Sequence, residues 1–81
     1  MFGRRTTNPR RRGRRSVRVA WLCREMSKTL AELAGIVADD EPELSRRLLA
    51  IAGRFLGEQV SRRLIADMAV EVDQVERWAG P

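Results

Sequence analysis

The stretch from Ser16 to Pro42, SVRVAWLCREMSKTLAELAGIVADDEP, decides the fold. Val19, Leu22, Met26, Leu30, Leu33 and Val37 recur at steps of three and four, which places them on one apolar stripe of an α-helix. Arg24, Glu25, Lys28 and Glu32 lie off that stripe, with Glu25–Lys28 and Lys28–Glu32 spaced as helical ion pairs. Ser16 is the expected N-cap. The helix stops at Ala38-Asp39-Asp40-Glu41-Pro42, because Pro42 steers Glu41 away from helical geometry. The acids suit a turn and the positive start of a following helix, and proline fits that helix's first turn.

Beyond Pro42 the same periodicity returns. Leu44, Leu48, Ile51 and Phe55 form a stripe, with Leu49, Ala52 and Leu56 beside it. Gly53 and Gly57 each weaken a helix by about 1 kcal/mol relative to alanine. Two readings follow. A continuous helix runs over about 42–69 on Leu49, Ala52, Leu56, Val60, Leu64 and Met68, or a break at Gly57 gives helices over about 42–56 and 58–69. A short last helix, Val72 to Ala79, presents Val72, Val75, Trp78 and Ala79 on one side, and Gly80-Pro81 ends it. No alternating strand pattern, internal repeat or glycine-rich phosphate loop is present. The predicted class is all-α with three or four helices, either a small bundle or a helical hairpin that dimerises. Residues 17–81 form the helical domain and residues 1–16 a separate arm.

The 81 residues and 9.3 kDa limit the chain to one small domain. With 43% hydrophobic and 33% charged residues it reads as soluble and globular. So short a chain buries only about 60% of its unfolded surface, which makes self-association an expectation. There is no histidine, so histidine-based catalysis and histidine-ligated metals are excluded. The single Cys23 excludes an internal disulfide and a cysteine-cluster zinc site. A buried thiol in a reducing cytoplasm is its simplest reading, nuclear if the host is eukaryotic. Asp39, Asp40, Glu41 and Glu43 are explained as helix-start acids. No nucleophile–base pairing can be drawn, so the chain is not expected to be an enzyme or to carry a cofactor or metal. No apolar run reaches the roughly 18–20 residues of a membrane span, and no apolar segment of a secretory signal follows the first charges.

Charge is split along the chain. Residues 1–18 hold Arg4, Arg5, Arg10, Arg11, Arg12, Arg14, Arg15 and Arg18 and no acid, a charge of +8; residues 19–81 sum to −3. An arm this cationic and this poor in apolar residues is expected to be disordered when free. Arginine presents a planar, permanently charged fork that matches phosphates and guanine edges. Opposite nucleic acid the arm gains counterion-release energy, so nucleic acid is the expected partner. Arg12-Gly13-Arg14 matches the centre of minor-groove hooks, without their prolines. An interfacial membrane helix would need interleaved bulky apolar residues, which the arm lacks.

Two segments carry family resemblances. Leu64 and Ile65, Met68, Ala69, Val70, Val75 and Trp78 follow the apolar and small-residue spacing of helix-turn-helix DNA-binding domains. The resemblance implies a turn at Ala69, within a motif over 58–79. Asp73, Gln74, Glu76 and Arg77 would then face outward, with Gln74 and Arg77 as base readers. A looser resemblance, carried by Leu22 to Val37, Asp40, Pro42, Arg46-Arg47, Val60-Ser61-Arg62 and Val75 through Gly80, is to the nodavirus suppressors of RNA silencing. It implies antiparallel helices paired in a dimer along double-stranded RNA. On a continuous 42–69 helix, Arg47, Arg54 and Arg62 would fall within about 80° of one another and span about 22 Å, a stripe suited to phosphates and 2′-hydroxyls. The sequence therefore favours a small DNA-binding regulator with an Arg arm. A dimeric double-stranded-RNA binder of viral type and a helical assembly module with a basic tail are the alternatives.

Overall fold

The computed structural model describes residues 17–81 as three helices, α1 Val17–Val37, α2 Pro42–Gly57 and α3 Arg62–Ala79. The expected N-cap Ser16 and the arm lie outside the described residues. The all-α class holds, and no strand is present among the described residues.

The turn at 38–41 forms where the acids and Pro42 place it. Pro42 opens α2 after Glu41, and the Glu41 amide donates back to the Val37 carbonyl at 2.7 Å. The ambiguity at Gly57 resolves as a break. The Glu58 amide closes α2 on the Arg54 carbonyl at 2.8 Å, and Ser61 caps α3 by accepting the Leu64 amide at 3.1 Å. A serine that satisfies an otherwise orphaned amide, next to a glycine-weakened helix end, favours two helices over one.

Of the two readings left open, the continuous helix over 42–69 is not formed. One expectation is corrected here. The separate helices at 58–69 and 72–79 are instead one helix, without a turn at Ala69. Neither Gly nor Pro interrupts 62–79, alanine is the strongest helix former, and Leu64, Met68, Val72 and Val75 keep one face throughout. The residues that carry the resemblance over Leu64–Trp78 therefore lie within one helix.

Packing is centred on α2. α1 and α3 each lie against it, and the two outer helices make little contact with each other. The core is Cys23, Leu30, Ala34 and Val37 of α1, Leu44, Leu48, Ile51, Ala52 and Phe55 of α2, and Leu64 and Val75 of α3. On α1 the buried stripe is thus Cys23, Ser27, Leu30, Ala34 and Val37, while Val19 and Leu22 from the expected stripe stay exposed. Small residues explain the shift. Ser27 and Ala34 of α1 and Ser45 and Ala52 of α2 let the backbones approach, and the buried Ser45 hydroxyl donates to the Ala34 carbonyl at 2.8 Å.

α3 runs antiparallel to α2. Arg47 Nε meets Glu71 at 3.0 Å, Arg54 meets Asp67 at 2.7 Å, and Trp78 Nε1 reaches Asp40 in the α1–α2 turn at 3.2 Å. With α1 also antiparallel to α2, the N-termini of α1 and α3 share one end of the molecule.

Candidate nucleic-acid interface

Placing the charges on this frame separates an acid-rich end from an end rich in cations, where Glu25, Glu58 and Asp67 also stand. Asp39, Asp40, Glu41 and Glu43 occupy the α1–α2 turn and the start of α2, and the antiparallel register brings Asp73 and Glu76 of α3 towards them. The other end carries Arg18 and Arg24 on α1 and Arg62 and Arg63 on α3, with Lys28 one turn further along α1. These five cations form no ion pair among the described residues, and the expected Glu25–Lys28 and Lys28–Glu32 pairs do not close. The N-termini of α1 and α3 lie at this end together with the C-terminus of α2, whose negative dipole end offsets one of the two positive ones. The arm joins the molecule at this end, through Val17.

The remaining cations are engaged within the body. Arg47 pairs with Glu71 across the α2–α3 contact. Arg54 pairs with Glu58 at 3.0 Å and with Asp67, and these hydrogen bonds, Asp67 first, hold its guanidinium above its usual range. Arg46 pairs with Glu43, and Arg77 with Asp73 at 3.0 Å. The three expected stripe arginines are therefore divided. Arg47 and Arg54 fasten α3 to α2, while Arg62 stands on another helix, exposed and in no ion pair among the described residues.

Gln74 and Arg77 sit towards the far, acidic end, beside a shallow depression that Glu41, Leu44, Arg47 and Trp78 also line. They are not brought together with the cationic end. Arg4, Arg5, Arg10, Arg11, Arg12, Arg14 and Arg15 lie outside the described residues. The acids at 39–43 are not gathered into a metal-ligand group among the described residues. Cys23 is buried against the core, and no described helix is long and apolar enough to cross a membrane.

The sequence reading passed over Arg18, Arg24, Lys28 and Arg63 as site residues, because only the fold shows which cations lack a carboxylate across a helix contact. It also passed over Trp21, which is 52% exposed although it sits among the apolar positions of α1. Comparison with protein-family models, with curated proteins and with solved structures finds no match for this chain.

Proposed function

We propose that this chain binds nucleic acid through its phosphate backbone, with the Arg-rich arm and the cationic end of the helical body acting together. The observation that supports it most is the segregation of charge. Arg18, Arg24, Lys28, Arg62 and Arg63 stand unpaired near the arm's attachment point, while acids crowd the far end. Such a polarised body presents one end to a polyanion and turns the other away. Backbone contacts of this kind position a protein without reading sequence. The unbroken α3 favours this reading over a sequence-specific regulator, and the pairing of Arg47 and Arg54 favours it over a continuous stripe on double-stranded RNA.

The test is a salt titration of binding to duplex DNA, duplex RNA and single strands. It compares the full chain with a variant whose seven arginines in residues 1–16 are glutamine. Each lost phosphate contact lowers the salt slope by about 0.7–0.9, so the variant's slope should fall by up to about 5 or 6. An unchanged slope assigns the contacts to the body alone, and no binding in dilute buffer refutes the proposal.

Self-association is a second part of the reading, supported by an open seam. Taking 100° per residue, Leu22, Met26, Leu33 and Ile36 fall within about 80° on the α1 edge that looks towards α3. Met68, Val72 and Ile65 line the facing edge. Met26, Leu33, Met68 and Val72 reach the core only partway, and Leu22, Ile36 and Ile65 remain exposed. A second copy laid along this seam would cover apolar surface that the short chain leaves in water.

A further inference from the structure

Trp21 is the most exposed aromatic side chain among the described residues. At 100° per residue the buried stripe of α1 centres between Cys23 and Ala34, and Trp21 lies about 160° from it, on the outer side of the helix. The first fully buried residue of α1 is Cys23, and of the six residues before it Ala20 alone is partly buried. The ring is half exposed.

Its neighbours are cations. Arg18 and Arg24 lie three residues to either side, the spacing at which helical side chains meet, and Lys28 continues the same outer face. Glu25 is the one acid among these positions, so Val17–Lys28 carries +2. None of the three cations is held by a carboxylate among the described residues. An indole placed among unpaired guanidinium and ammonium groups is the arrangement by which proteins hold single strands. The cations track the backbone while the aromatic face stacks on a base, whatever its identity.

We propose that the outer face of the α1 N-terminus, with Trp21 between Arg18 and Arg24, is a stacking platform for an unpaired base, and that single-stranded nucleic acid is the preferred ligand. This rests on the nucleic-acid reading above and narrows it. A duplex keeps its bases stacked on one another and offers Trp21 no free face, so it gains only the phosphate contacts. A bilayer surface is a poorer match. Lipid insertion requires a continuous apolar face on a helix. Val17 is the one apolar neighbour that Trp21 has on the outer face, whereas Val19 and Leu22 lie round towards the core side and its edge.

The full chain carrying Trp78→Phe leaves Trp21 as the one indole. Its fluorescence is titrated with oligo-dT, with a dA·dT duplex of equal length, with heparin as a polyanion without bases, and with anionic phosphatidylserine vesicles. Oligo-dT should quench Trp21 strongly and the duplex weakly. Trp21→Ala should lose about 5- to 150-fold in affinity for oligo-dT, the equivalent of one stacked base. Heparin affinity and the salt slope should stay unchanged, and Trp21→Phe should restore most of the loss. Because the side chain points outward, circular dichroism should show the same helix content in all variants. Equal oligo-dT affinity in Trp21→Ala and its parent overturns the platform while leaving arm-driven binding intact. A Trp21 emission shift with vesicles but not with oligo-dT overturns it in favour of a membrane surface. Absence of binding to every nucleic acid removes the function on which it rests.

Discussion

Leu64 and Ile65 are adjacent at the start of α3, have the same side-chain composition, and differ in environment. Leu64 is fully buried at 0% exposure, whereas Ile65 is 42% exposed. Alanine at either position removes three carbons. For Leu64 the transfer loss at about 0.8 kcal/mol per methylene is about 2.4 kcal/mol. The cavity left beneath α3 raises this to about 3–5 kcal/mol. For Ile65 a little over half of the same surface is involved, about 1.4 kcal/mol, and alanine returns a few tenths through its helix propensity. The net cost there is about 1 kcal/mol. The described residues can have a total stability of only about 3–10 kcal/mol. In urea, with a slope near 1 kcal/mol per molar for so small a domain, Leu64→Ala should lower the midpoint by about 3 M or leave the chain unfolded without denaturant. Ile65→Ala should lower it by about 1 M. The helix signal in circular dichroism reports both. Equal shifts, or a larger one for Ile65, would refute the register in which α3 packs on α2, and with it the placement of Arg62 and Arg63 at the cationic end.

Gly53 lies inside α2 with a negative φ and no atom within 4 Å of where a Cβ would stand. Gly53→Ala should therefore stabilise the chain by about 1 kcal/mol and raise Tm by about 4–8 °C, read by thermal melting; a lower Tm would show that another surface closes on this site. In sedimentation equilibrium the chain should show twice its 9.3 kDa mass, and Ile36→Glu, on an exposed position of the open seam, should return it to a monomer. A monomeric parent at high concentration removes self-association from the account.

Local sequence determined α1, α2 and the division of charge, but not the unbroken course of α3. Threefold and fourfold apolar spacing specifies α1 and α2, because a helix needs only neighbours along the chain to form its hydrogen bonds. Pro42 and Ser61 act on backbone groups within four residues, so they fix two helix starts before any packing occurs. The seven arginines of residues 1–16 and the absence of acids there are visible without a fold. Tertiary structure decided which face of each helix is used. Leu22 shares a stripe with Leu30 and Val37, yet the close approach through Ala34 and Ser45 turns burial towards Cys23 and Ser27, and Val19, in phase with the buried Val37, is left more open by its place in the first turn of α1. The state of the arginines was equally out of reach. Arg47 and Glu71 are 24 positions apart and meet only because α3 folds back along α2, while Arg62 and Arg63 form no ion pair among the described residues. Periodicity records what one helix can bury; its neighbours decide what it does bury, and so which cations and which indole are left to meet a ligand.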